Sequence, residues 1–140
     1  MSDKNEVKSA ADSTEPPEQD WLLQKIVSTS NETGAEIGVT LIVGGTIVSG
    51  LTISGKRYFE DFGKFFADSP VFTAEQRKGL EETYREFGEK RYTHLPTPEL
   101  RYVHLRDALI LGGPEPLRVP LFRVRIATVD GFTIGSVVQS

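Results

Sequence analysis

The chain has 140 residues, no cysteine, two histidines and a formal net charge of −4. This length suits one domain, and the broken apolar runs are far shorter than the roughly 20 residues that cross a bilayer. The lack of cysteine excludes disulfides, thiolate catalysis and sulfur-ligated zinc. The sequence therefore predicts a soluble protein with one core.

The negative charge is concentrated at the N-terminus. Residues 1–20 contain six acidic residues against two basic ones, which leaves the rest of the chain neutral overall. Residues 1–18 are polar and include Pro16 and Pro17, a composition typical of a disordered tail, and they lack the apolar stretch of a signal peptide. We expect a cytoplasmic protein with a disordered acidic tail at 1–18 and a single α+β domain at 19–140.

The first predicted element is a short helix. Asp20 is the expected N-cap and Gly34 follows the C-terminal end. Apolar residues at three- and four-residue spacing form one buried face, and Trp21 is expected to anchor the first turn.

A strand pair is predicted next, at residues 38–54 on either side of Gly44 and Gly45. The apolar residues have odd numbers in both strands, and a three-residue glycine loop would place these odd positions on one buried face. Gly50 lies inside the second strand and predicts a bulge or a sharp bend, as a small barrel requires.

Two helices follow. Ser54 begins the first, whose aromatic residues recur at helical spacing and predict a broad buried face that ends at 68–70. Thr73 begins the second with the capping-box spacing to Gln76 and precedes a narrow apolar stripe among many charges. The aromatic residues of the first helix are Tyr58, Phe59, Phe62, Phe65 and Phe66.

The C-terminal third predicts three strands. Odd positions are apolar in residues 102–111, with Asp107 as an exception on the apolar side. Even positions are apolar on both sides of the turn at residues 129–131, which predicts a hairpin. The whole pattern predicts an α+β fold with a five-stranded antiparallel sheet, strongly bent into a small Sm-like or SH3-like barrel. An N-terminal helix precedes the sheet, and two helices are inserted between strands 2 and 3.

The sequence contains no pattern that predicts catalysis. His94 and His104 lack a second histidine at metal-ligand spacing, and strand alternation assigns His104 to the outward face. Asp107 is either a functional acid or, as we favour, an acceptor of hydrogen bonds from nearby backbone at a bulge or loop edge. The glycines lack the lysine and hydroxyl residue of a P-loop. We expect no enzymatic activity, no cofactor and no metal.

Three arginines near the C-terminus are the candidate partner-binding residues. Arg118, Arg123 and Arg125 make one predicted strand basic, so they could meet an anionic partner. A solvated sheet face is the alternative explanation for the same residues.

Three sequence blocks resemble the gas vesicle accessory protein family GvpU. The blocks are Gly38–Gly50 with Ile53, Ser54, Tyr58 and Phe59, then Tyr102–Arg106, then Val129–Phe132 with Gly135. The resemblance implies a cytoplasmic, non-enzymatic protein that acts in vesicle assembly or clustering, and it leads us to expect the protein at the vesicle surface. Its implied partners are gas vesicle shell or accessory proteins.

Two other interpretations stay open. The order of the elements is also similar to that of Sm-like barrels, which would make the chain a nucleic-acid-binding module that uses Arg118, Arg123 and Arg125, although the acidic balance weighs against it. A small enzyme around Asp107 and His104 is the third possibility. In addition, unpaired sheet edges and a charged tail lead us to expect a homo-oligomer whose contacts depend on salt.

Overall fold

A computed structural model describes residues 18–93 and 99–137 of the chain. The predicted disordered tail, apart from Glu18, and His94 lie outside these residues. The helices are α1 (Trp21–Thr33), α2 (Gly55–Ala67) and α3 (Ala74–Tyr92). The strands are β1 (Ile37–Val43), β2 (Thr46–Thr52), β3 (Tyr102–Leu111), β4 (Leu117–Arg125) and β5 (Gly131–Ile134), with a 3-10 turn at Ile126–Thr128 between the last two.

The strands form one antiparallel sheet in the spatial order β4-β3-β2-β1-β5. The predicted α+β fold is confirmed, with α1 before the sheet and α2 and α3 inserted between β2 and β3. The sheet is open in the described part of the chain, because β4 and β5 form its two edges and do not pair with each other. The barrel therefore is not closed, and the predicted hairpin of the last two strands is wrong. The 3-10 turn carries the chain to the far edge, where the N–H of Asp130 donates to the carbonyl of Ile42 over 2.8 Å.

Helix α1 covers one face of the sheet. Asp20 caps it as predicted, since its carboxylate accepts the N–H groups of Leu22 and Leu23 at 2.9 and 3.2 Å. Leu23 and Val27 are buried in the core that α1 forms with the sheet. Trp21 is 68% exposed, so its predicted role as an anchor is wrong. It lies two positions before Leu23, a rotation of about 200° around the helix, and so it faces away from the sheet.

The turn between β1 and β2 changes which residues of β2 are buried. Gly44 and Gly45 have φ angles of 57° and 84°, and Val43 pairs directly with Thr46. This is a two-residue turn with positive φ at both positions, the combination that fits the twist of a hairpin and that glycine adopts without strain.

A loop of even length puts odd positions of β1 opposite even positions of β2. Leu41 pairs with Val48 in the core, and Ile42 pairs with Ile47 on the outward face. The predicted buried positions are therefore correct for β1 and wrong for β2.

The bulge predicted from Gly50 lies in the neighbouring strand. Ser49 pairs with Leu109 and Leu51 pairs with Arg106, so β3 contains one residue more than β2 over this stretch. Asp107 is the residue with positive φ there, at 52°. Its side chain is 64% exposed and bonds to the Arg106 guanidinium. The prediction that Asp107 lies on the apolar side is wrong, because the bulge turns it towards solvent.

Helices α2 and α3 form a hairpin whose glycines permit close contact. A Cβ atom at Gly63 would lie 2.8 Å from the Cβ of Tyr84, and one at Gly88 would lie 3.0 Å from the Cβ of Phe59. The predicted aromatic face of α2 is buried only in its first half. Tyr58 is 7% exposed, whereas Phe65 near the end of the helix is 58% exposed.

We predict opposite effects for two glycine-to-alanine changes in this hairpin. Gly63→Ala should lower the free energy of unfolding by about 1 to 2 kcal/mol, because overpacking outweighs the gain in helix propensity. Gly79→Ala in α3 is the matched control, since a Cβ there meets nothing within 4 Å. It should raise the free energy by about 0.5 to 1 kcal/mol. Urea unfolding of both variants tests the prediction, and equal effects would contradict the close helix contact.

Candidate functional site

His104 lies inside an aromatic cluster between β3 and the helical hairpin. It is 2% exposed, and its ring centroid is 4.6 Å from that of Tyr58 and 5.6 Å from that of Tyr92. The prediction of a surface histidine is wrong. Alternation along β3 does place it opposite the α1 core, but the α2–α3 hairpin covers that second face.

Arg123 completes this cluster from β4. Its Nε donates to Nε2 of His104 over 3.1 Å, and its guanidinium carbon lies 3.6 Å from the ring centroid of Tyr102. An imidazole nitrogen that accepts a hydrogen bond carries no proton, so His104 is neutral. Burial, with a smaller contribution from the Arg123 charge, lowers the pKa of His104 to about 3.

Glu99 joins the far side of the cluster. It accepts a hydrogen bond of 2.9 Å from the Tyr92 hydroxyl and lies 3.9 Å from the Arg123 guanidinium. Burial and this carboxylate raise the pKa of Tyr92. His104, Arg123, Glu99 and Tyr92 are therefore linked to one another by polar contacts.

The other two candidate arginines point to solvent. Arg118 and Arg125 are exposed, and within the described residues neither forms an ion pair. Arg118 pairs with Leu109, five residues along β4 from Arg123, or about 16 Å at the usual rise of a strand. The structure thus separates the predicted set into one arginine bound within the protein and two free at the surface.

A second ionic cluster connects Glu36, the residue before β1, with α2 and β3. Arg106 donates to one carboxylate oxygen of Glu36 at 2.6 and 2.9 Å, and Arg57 donates to the other oxygen. The hydrogen bond from Arg106 is the main cause that lowers the pKa of Glu36. Since Arg106 also bonds to Asp107, the acid that sequence analysis singled out belongs to a structural network.

The turn end of the helical hairpin exposes three large apolar side chains, which we call the hairpin tip: Phe65, Phe66 and Val71. They are 58%, 44% and 77% exposed. A groove of about 610 Å³ lies beside Phe65 and has charged residues, among them Lys64 and Arg77, on its walls. Contiguous exposed apolar surface commonly marks a contact site. Helical spacing predicted that Phe65 and Phe66 are buried, which is wrong. The narrow apolar stripe of α3 could have indicated this, because such a stripe is too small to cover the whole aromatic face of α2.

Neither of two common kinds of functional feature occurs in the part of the chain that the structure describes. No group of three or more histidine, cysteine, aspartate or glutamate residues there is placed to hold a metal ion. No described helix combines the length and apolar character that crossing a bilayer requires.

The fold and these clusters define an α+β protein with an open five-stranded sheet, whose polar clusters serve internal contacts and whose hairpin tip is exposed. The family described as gas vesicle protein GvpU-like matches residues 20–137. The chain belongs to this family, as the three sequence blocks indicated. No curated protein matches the chain.

The depressed pKa of His104 predicts a loss of stability in acid. The unfolded chain binds a proton near pH 6.5 whereas the folded protein does so only near 3, so folding releases a proton between these values. When the pH is lowered from 7 to 5, the contribution of His104 to the free energy of unfolding should therefore fall by about 2 kcal/mol. Urea unfolding of the wild type and of His104→Gln at both values measures it. An equal pH dependence in the two proteins would contradict the neutral, buried histidine.

Proposed function

We propose that this chain is a non-enzymatic accessory protein that acts in the assembly or clustering of gas vesicles through protein–protein contacts. Membership of the GvpU-like family over residues 20–137 carries the proposal. We place the protein in the cytoplasm, at the gas vesicle surface, with shell or accessory proteins and other copies of itself as its partners.

The internal contacts support a role in binding over a role in catalysis. His104 is 2% exposed and bonds to Arg123, while the Asp107 side chain is 64% exposed and bonds to Arg106. A catalytic pair needs two groups that converge on one accessible site. One of these residues is enclosed and the other faces open solvent, which disfavours the small enzyme considered above.

The exposed surface offers two places where a vesicle protein could bind. The hairpin tip presents apolar side chains that can be buried on contact. The second place is β4, which we call the basic surface because Arg118 and Arg125 put one exposed positive charge near each of its ends, where an acidic partner could bind. We favour the hairpin tip for the main contact, because apolar burial stabilises association at any salt concentration whereas exposed charges are screened.

One observation favours the alternative function, an Sm-like nucleic-acid-binding module. The chain has a short helix before five strands, which is the order of elements on which the likeness to Sm-like barrels rests. However, the Arg123 guanidinium stacks on Tyr102 and bonds to His104, so the basic surface keeps only Arg118 and Arg125 of the three candidates. A salt-dependent RNA-binding titration separates the two functions, since binding that falls steeply with salt would favour the nucleic-acid role.

We predict that the purified protein is recovered with gas vesicles in the floating layer after centrifugation and that the hairpin tip is required. Phe65→Ser combined with Val71→Asp should reduce the bound fraction by roughly tenfold or more, as expected when central contacts worth more than 1.4 kcal/mol are lost. Both residues are more than half exposed, so folding should be retained, which circular dichroism would check.

The arginine surface supplies the matched comparison. Arg118→Glu with Arg125→Glu reverses two exposed charges and leaves the hairpin tip intact. If the basic surface carries the contact, this variant loses binding and the hairpin-tip variant keeps it. If the wild type binds neither vesicles nor shell protein at any salt concentration, the proposed function is wrong.

A further inference from the structure

The two free edges of the sheet differ in how they are protected against pairing with another strand. The β4 edge carries three arginines and no acidic residue, and Pro120 lies in its middle without an N–H group. Positive charge and proline are common devices that keep an edge strand from pairing. Two β4 edges would also bring like charges together. We therefore exclude β4 as a self-pairing edge.

The β5 edge has none of these devices. Its four residues, Gly131 to Ile134, include no charge and no proline. Ile134 is 59% exposed, and Val137 just beyond the strand is 40% exposed. In the described part of the chain, β1 is the strand that pairs with β5, so the other side of β5 is open.

The hydrogen bonds to β1 show which groups face this open side. The N–H of Gly135 donates to the carbonyl of Gly38 over 2.7 Å, and Thr133 pairs with Thr40 two positions earlier. Antiparallel strands alternate between residues that bond to the neighbour and residues that bond away from it. Thr133 therefore bonds towards β1, and the N–H and C=O groups of Phe132 and Ile134 are directed at the open edge.

We propose that a second copy of this chain pairs with β5 in antiparallel orientation, with the two-fold axis at Thr133. Phe132 of each copy then pairs with Ile134 of the other, and every outward donor and acceptor is satisfied in four backbone hydrogen bonds. The edge is complementary to itself because both copies present the same groups at the same spacing and no charge is opposed. The result is a continuous ten-stranded sheet.

This pairing specifies the self-association included in the proposed function, but it does not depend on vesicle binding. Four residues bury little surface, and small interfaces give weak, transient complexes. The dimer should therefore form at high local protein concentration. A weak symmetric contact of this kind would suit a protein that links neighbouring vesicles.

Analytical ultracentrifugation of three proteins tests the edge. The wild-type mass should rise with concentration from 15.5 kDa towards twice that value. Ile134→Lys places a like charge on both copies and should raise the concentration of half-dimerisation by roughly tenfold or more. Leu117→Lys on β4 is the matched control, because Leu117 is 56% exposed and Ile134 59%. It should leave this concentration unchanged within about twofold.

A cysteine variant tests the register without relying on a disruptive change. In the proposed pair the two Thr133 residues face each other with Cα atoms about 4.5 Å apart, which lies within the range of a disulfide. The chain has no cysteine of its own, so Thr133→Cys should yield a disulfide-linked dimer under mild oxidation and Leu117→Cys should not.

Three results would overturn the pairing. They are a wild type that stays monomeric at millimolar concentration, equal shifts from Ile134→Lys and Leu117→Lys, or equal cross-linking of the two cysteine variants. Vesicle binding by Ile134→Lys, measured in the floating layer, separates this proposal from the proposed function. If this variant no longer dimerises but still binds vesicles, self-pairing and vesicle binding are independent.

Discussion

The structure depends on the enclosure of β3 from both sides. Val103, His104 and Leu105 are consecutive residues of one strand, and all three are at most 2% exposed. Alternation sends the first and third into the core under α1 and the second towards the helical hairpin. A polar ring can be buried there only because Arg123 bonds to it and aromatic side chains surround it. The insertion between β2 and β3 is therefore a second cover for the sheet.

The same arrangement decides which residues can meet a partner. Arg123 and Glu99 bond within the cluster around His104, and Arg106 and Glu36 bond to each other beside the bulge. Around His104, a group that loses its partner leaves the other polar group buried and unsatisfied, which costs free energy, whereas the partly exposed Arg106 and Glu36 neutralise each other at the surface. These residues therefore serve the fold. Among the described residues, the hairpin tip, the exposed arginines of β4 and the uncharged edge of β5 are not part of these clusters.

These three surfaces differ in the kind of contact that each can make. The hairpin tip offers apolar area without a fixed direction. The exposed arginines attract acidic partners from a distance but lose strength in salt. The β5 edge offers backbone hydrogen bonds with a fixed register. The proposed vesicle contact and the proposed self-pairing would therefore use different surfaces.

The sequence by itself determined the local structure of this protein. Asp20, Thr73 and Gln76 predicted helix starts because capping hydrogen bonds join residues two or three positions apart. Gly50 predicted a bulge in β2, which lies in the facing strand β3 instead, and the three sequence blocks indicated the family. Order and number of the helices and strands followed from apolar periodicity, which is also a local property.

Only the tertiary structure decided which faces are buried. The buried side of β2 depended on whether its glycine turn has two or three residues, and a change of one residue reverses every side chain. The burial of His104 and the withdrawal of Arg123 from the surface depended on a helical hairpin that lies far away in sequence. The positions of β4 and β5 at opposite edges of the sheet likewise depended on pairing with β3 and β1, which are distant in sequence from one another. Such contacts join residues that no short sequence pattern connects, so periodicity alone could not locate the contact surfaces.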